Sequence, residues 1–240
     1  MSLVLDWACR VANTIQHIRE PSRLILTWQA SEKRGNRKRL AVGELTQRDG
    51  TVELTYYDKS IVAEAVALGY EGYAAFNLKE SFHSRDVLQA FMRRLPPRSR
   101  NDFSQYLAGL RLPVGAHISD FALLGYSEAK LPSDGFSLVD PLDSSRPPSE
   151  YLWEVAGYRH YGGLGEADIG REVFLEAEPS NAHDPDAVAI RTPNRILGYI
   201  NRIQAPVVKR WIVDGRTSAN IEKLNGTSNW PRAYIFVRFN

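Results

Sequence analysis

The chain of 240 residues has almost no cysteine: Cys9 stands alone. A single thiol makes no internal disulfide and no cysteine-rich zinc site. That usage suits a reducing compartment. Long apolar runs are missing too. No stretch reaches the roughly 18 apolar residues that mark a membrane span. The opening MSLVLDWACRVANTIQ has no basic leader and carries Asp6 inside its apolar run. It makes a poor secretory signal, so a cytoplasmic location is expected. Charge of one sign is not in excess either, with a formal net charge of +2. Any nucleic-acid surface must therefore be local rather than global. There is no internal repeat, no P-loop, no G-x-S-x-G and no helicase motif, and the expectation is a protein that is not an enzyme.

What is present can build a core. The chain is 43% hydrophobic and holds five Trp, eleven Tyr and nine Phe, enough for one large domain or two small ones. Residues 1–22 read as an arm or short helix. Residues 23–140 read as a mixed α+β domain. LILTW (24–28), RLAVGEL (39–45) and TVELTYY (51–57) are expected strands, with turns at EKRGNRKR and Arg48-Asp49-Gly50. Helices are expected over 59–68, after Ser84 and near Asn101. The last two each place apolar residues at i, i+3, i+4 and i+7. FALLGY (121–126) and FSLV (136–139) suggest a further hairpin.

Residues 141–151 are rich in Pro, Ser and Asp and read as a linker. Beyond them, from 152 to 240, LWEVAGYRHY, REVFLEAEP, AVAIRT, RILGYI, ANIEKLNG and RAYIFVRF read as short strands. One helix is expected between Pro206 and Gly215, with Val208, Trp211 and Ile212 on one face. The overall expectation is α+β, mostly β, ending in a small β-barrel or sandwich. Charge is uneven across this region. Residues 151–190 carry Arg159 and Arg171 against eight acids, whereas residues 191–240 carry nine Lys or Arg against Asp214 and Glu222.

The segment EPSNAHDPDAVAI (178–190) crowds acids, prolines, Asn181 and His183 ahead of an apolar run. Pro179, Asn181, Asp184 and Pro185 would serve any tight turn. Asp184, Asp186, His160 and His183 are possible metal ligands, but no calcium-loop spacing exists and Pro185 stiffens the run. No metal and no cofactor are expected. Glu178 with Asp184 or Asp186 could instead belong to a nuclease-like acid cluster, given a metal and a further carboxylate or lysine.

GYRHYGG (157–163), LEAEPSNAHDPDAVAI (175–190) and ILGYINRIQAPVV (196–208), in that order, resemble a HIRAN domain. HIRAN domains are small β-barrels related to OB-folds, and the family includes a module that captures the 3′ end of single-stranded DNA. The resemblance implies single-stranded DNA, or DNA 3′ ends, as partner. It places His160 and His183 where the family typically has aromatics that clamp the terminal base, with Tyr161 and Tyr199 beside them. Asp184 matches the acceptor of the free 3′-hydroxyl. Arg159 and Arg202 suit phosphates, and Asn181 a base edge or the turn itself. Imidazole stacks over less area than phenol, which implies weaker binding, favoured when the histidines are protonated.

RLAVGELTQRDGTVELTYYD (39–58) and AFMRRLPPRSRNDF (90–103) are loosely similar to the opening of HipA-type toxin kinases, without a kinase body. That likeness implies an interaction or regulatory module, with a possible protein partner for the first domain. Two basic runs could extend a phosphate footprint: Lys33, Arg34, Arg37, Lys38 and Arg39, and Arg93, Arg94, Arg98 and Arg100. The same runs could be solvated loop charge. Two functions therefore stand open, a non-catalytic DNA-end binder and a protein–protein regulator.

Overall fold

The computed structural model describes residues 12–31, 38–131, 134–215 and 217–240. Its first part is a five-stranded antiparallel sheet. Strands β1 (Arg23–Gln29), β2 (Arg39–Arg48) and β3 (Thr51–Tyr56) form its centre, and β4 (Phe82–His83) and β5 (Ser137–Val139) its edges, in the order β4-β3-β2-β1-β5. β2 and β3 are joined by Asp49 and Gly50, both at positive φ (48° and 77°), as a two-residue hairpin turn requires. Leu24 and Leu26 of β1, Leu45 of β2 and Val52 and Leu54 of β3 face one core. Short helices complete it: α1 (Ala63–Ala67), α2 (Val87–Met92), α3 (Phe103–Gly109) and α4 (Asp120–Tyr126).

Helix α4 corrects the expected strand at FALLGY. Ser119 caps it by accepting the Ala122 N–H, and Phe121, Ala122, Leu123 and Leu124 are all buried. A helix buried nearly all round has no stripe of polarity to betray its period. The expected hairpin partner FSLV pairs with β1 instead, as β5.

The second part begins at β6 (Ser149–Glu154), so Ser149–Tyr151 already belong to a strand. Strands β7 (Glu172–Ala177), β8 (Val188–Thr192), β9 (Arg195–Tyr199), β10 (Thr217–Thr227) and β11 (Trp230–Phe239) follow, and the sheet order is β6-β11-β10-β7-β8-β9. The sheet curls nearly shut. Ala156, just beyond β6, exchanges both backbone hydrogen bonds (2.9 Å each) with Tyr199 at the far edge. This is an OB-like half-barrel. Helix α6 (Ala205–Asp214) plugs it with Val207, Val208 and Trp211, the last packed edge-on to Phe239 at 4.8 Å. Burying such side chains stabilises the fold by roughly 1.5–3 kcal/mol each.

LWEVAGYRHY is not one strand. After β6 the chain turns at Gly157 (φ 76°) into a helical turn, α5 (Tyr158–Tyr161), closed by Gly162 and Gly163 at φ 52° and 77°. Glycine tolerates those angles without the penalty a Cβ would bring.

The arm of residues 12–22 contains no helix; residues 1–11 lie outside the described residues, as do 32–37 of the first basic turn. The arm runs across both parts. Ile15 enters the first core, Asn13 donates to Glu222 of β10 at 2.5 Å, and the His17 and Gln16 amides donate to the buried Glu150 of β6. Arg111 reaches Glu222 at 2.5 Å from the helical side. Between β5 and β6, Asp140 accepts the Leu142 amide at 2.7 Å, and its carbonyl accepts Gln204 of the α6 N-terminus at 3.2 Å. Among the described residues no helix is long and apolar enough to cross a membrane.

Candidate nucleic-acid interface

Three separated segments meet at the closing edge of the half-barrel: α5, the β7–β8 loop, and the end of β9 with the residues after it. A continuous chain of contacts joins them. The rings of Tyr161 and Tyr199 lie 6.2 Å apart at 61°. The Tyr199 hydroxyl donates to Glu178 Oε2 at 3.2 Å, and the same oxygen accepts Asn181 Nδ2 at 2.9 Å. Asn181 Oδ1 in turn accepts the amides of His183 (2.9 Å) and Asp184 (3.2 Å). Asp184 Oδ1 accepts the Asp186 amide at 3.0 Å, while Oδ2 pairs with Arg202 Nε at 3.1 Å.

The loop chemistry explains why these residue types stand here. Asn181 and Asp184 each fold their side chain onto backbone amides two or three residues on, the usual device of Asn and Asp in turns. The turn and the site are thus built from one set of bonds. Burial, the neighbouring Tyr161 hydroxyl and the Glu178 carboxylate push the Tyr199 phenol up to about 12. It stays protonated at neutral pH and serves as a donor.

Arg159 lies on α5 with its guanidinium 4.8 Å from the centroid of Trp230, at the start of β11, and donates from Nε to His160 Nε2 at 3.0 Å. Trp230 is exposed, and sequence reasoning passed it over. Its only signal was an aromatic in the turn-rich stretch TSNWP. Arg195 was passed over as well. Its guanidinium lies over the end of α5, where a Cβ on Gly163 would come within 2.4 Å of Nη1. Glu178 was read only as a possible acid-cluster member, yet it ties β9 to the loop. His160 and His183 are exposed, and no ring contact joins them among the described residues. Asp186 pairs with Lys209 of α6 at 3.0 Å. Among the described residues no group of three or more His, Cys, Asp or Glu is disposed to hold a metal ion.

The described residues of the secondary basic runs sit elsewhere. Lys33, Arg34 and Arg37 lie outside the described residues. Lys38 pairs with Glu64 at 2.8 Å, and Arg39 donates to Ser137 Oγ at 2.8 Å. Arg94 is buried, with both Nη atoms on Asp134 at 2.7 Å and Nε on the Ala129 carbonyl. Arg98 holds Asp120 and the Ile118 carbonyl, both at 2.8 Å, and Arg100 holds Asp102. Arg93 is exposed.

Comparison with known proteins places the second part. Residues 150–227 match the model of the HIRAN domain, so this C-terminal region has a HIRAN-domain fold. The match does not extend to the first part, and no comparison reproduces the HipA-like resemblance of residues 39–103. Among solved structures, the chain is similar to the crystal structure of the HIRAN domain of human HLTF. Identity is 18%, the alignment covers 38% of this chain and 74% of that one, and the TM-score is 0.32. No curated protein matches the chain.

Proposed function

We propose that the half-barrel is a non-catalytic reader of single-stranded DNA that engages a free 3′-hydroxyl end, in the service of DNA repair, replication stress or mobile-element defence. The observation that carries this reading is the unbroken run of contacts from Tyr161 through Tyr199, Glu178, Asn181 and Asp184 to Arg202, lying within the HIRAN-matched region. It brings flat side chains, a carboxylate and guanidinium groups to one rim, the combination that a terminal nucleotide needs. Bases stack on aromatic faces without regard to sequence. A carboxylate accepts a hydroxyl donor and disfavours a phosphate in the same place. Guanidinium forks suit phosphodiesters.

In this reading His160, His183 and Tyr161 pack against the terminal base, and Asp184 accepts the 3′-hydroxyl. Arg159 and Arg202 take backbone phosphates, with Arg195 beside them. The first part acts as an interaction module for a protein partner.

Fluorescence anisotropy with oligonucleotides ending in a 3′-hydroxyl or a 3′-phosphate, and with a circular single strand, tests the proposal. The hydroxyl end should bind best and the circle worst. Equal affinity for circle and linear strand would remove end recognition. No affinity at low salt would favour the protein–protein reading.

A further inference from the structure

The seam between the two parts holds a small cavity of about 30 Å³. Its walls come from the arm, α4, the connector between β5 and β6, β6 itself and the residue before α6. The rings of Tyr126 and Tyr151, which line it, stack 6.3 Å apart. The described lining has no Lys, Arg or His, but it has two acids, Glu128 and Asp140. Glu128 is neutralised by Lys130 at 2.6 Å. Asp140 has no ion-pair partner among the described residues. One of its oxygens accepts the Leu142 amide at 2.7 Å, and its charged neighbour Asp143 is of like sign. Tyr151 is only 5% exposed, and its buried hydroxyl has no hydrogen-bond partner among the described residues.

An ionised carboxylate drawn away from water is costly unless a positive charge joins it. Burial pushes the Asp140 carboxyl up to about 6, so at neutral pH the charge is present and uncompensated. The cavity has room for one particle of about the size of a water molecule. One uncompensated negative charge among neutral oxygens suits a hard monovalent ion. Calcium takes about six to eight oxygen ligands, and no group of three or more acids, His or Cys is disposed for a metal among the described residues. Gln204 donates Nε2 to the Asp140 carbonyl at 3.2 Å, which leaves its Oε1 as a further acceptor.

We propose that this cavity is a site for a monovalent cation of potassium's size, that Asp140 supplies the charge and the Tyr151 hydroxyl an oxygen ligand, and that the bound ion ties the half-barrel to the first part. The site is independent of what the rim binds. Ion and proton compete for one carboxylate, so the ion stabilises the fold where Asp140 is ionised and does nothing where it is protonated. The other groups near Asp140 do not take over this role. Burial pushes the Tyr126 and Tyr151 phenols up, so both stay neutral. Asp143 is held by Arg23, and Arg19 of the arm directs its guanidinium to the Pro148 carbonyl.

The test is thermal melting of the full chain in potassium chloride and in choline chloride at equal ionic strength, at pH 7 and pH 4.5. Choline is too large for the cavity. Potassium at several times its Kd should raise the midpoint by about 2–4 °C at pH 7 and leave it unchanged at pH 4.5. Asp140→Asn should lose the potassium effect at both pH values. Tyr151→Phe keeps the ring stack and should need more potassium to reach half the effect. Equal midpoints in the two salts at pH 7 would leave the cavity to water and overturn the proposal. A potassium effect that persists at pH 4.5 or in Asp140→Asn would place the ion elsewhere and overturn it as well. So would an unchanged half-point in Tyr151→Phe, which would put the ion outside the cavity.

Discussion

Arg94 in the first part and Arg202 in the second use the guanidinium in opposite ways. In the first, Arg94, Arg98 and Arg100 are held by Asp134, Asp120 and Asp102 and by nearby carbonyls. Arg94 is spent inside the fold, whereas Arg98 and Arg100 make exposed surface pairs. In the second, Arg159 lies over an exposed tryptophan, and Arg202, 62% exposed, meets Asp184 most closely through Nε at 3.1 Å. Arginines of equal formal charge therefore differ in what they offer a ligand. The number of cations matters less than how many of their donors still face water.

Removing Arg94 should expose this contrast most sharply. Arg94→Ala removes a buried guanidinium and leaves the Ala129 carbonyl without its donor, while the exposed Asp134 is rehydrated. Leaving one buried acceptor unsatisfied costs about 1–3 kcal/mol. Urea denaturation should show that loss, while the folded fraction binds single-stranded DNA as before. A change in DNA affinity without loss of stability would erase the distinction between the parts.

The seam between them should respond to pH. Burial raises the Asp140 carboxyl to about 6 from an ordinary 3.8. Between those values the folded chain keeps a proton that the unfolded chain has lost. Stability should therefore fall as pH rises through that window and level off above it, by at most about 3 kcal/mol. Solvent at the partly exposed edge of the group reduces this. Asp140→Asn keeps the oxygen that accepts the Leu142 amide and should flatten the profile. Denaturant midpoints measured at pH 4.5 and 7 give the answer.

A smaller effect separates the two sets of arginines directly. Arg159→Ala should lower the log–log salt slope of single-stranded DNA binding by about 0.7. Arg98→Ala and Arg100→Ala should leave that slope unchanged. An equal drop in all three would mean that the first part lies on the DNA path.

Much of the fold was legible because its signals are local. Asp49-Gly50 announces a hairpin, and Pro206 and Gly215 bracket α6. FALLGY misled because a short apolar run has no readable period, and its decisive cap, Ser119, lies outside the run. YRHY was read as strand because the glycines that bend it around Tyr158 act through φ, which composition does not reveal. At the site, the loop from Glu178 to Asp186 was legible through its turn chemistry. The link from Glu178 to Tyr199 spans 21 residues and depends on sheet register. Arg93 and Arg94 show the limit most plainly: they are neighbours in sequence, one exposed and the other inside the fold.

Among the described residues the bridge that closes the half-barrel joins Ala156 to Tyr199, and Tyr199 is also part of the rim. Gly198 makes the approach possible, since a Cβ there would come within 2.4 Å of the Ala156 carbonyl. Any momentary parting of this edge therefore dismantles the tyrosine platform at the same instant. The amides of Ala156 and Tyr199 become a clock for the site's lifetime. Their deuterium uptake should slow when a strand end is bound, and slow together, because neither can open without the other.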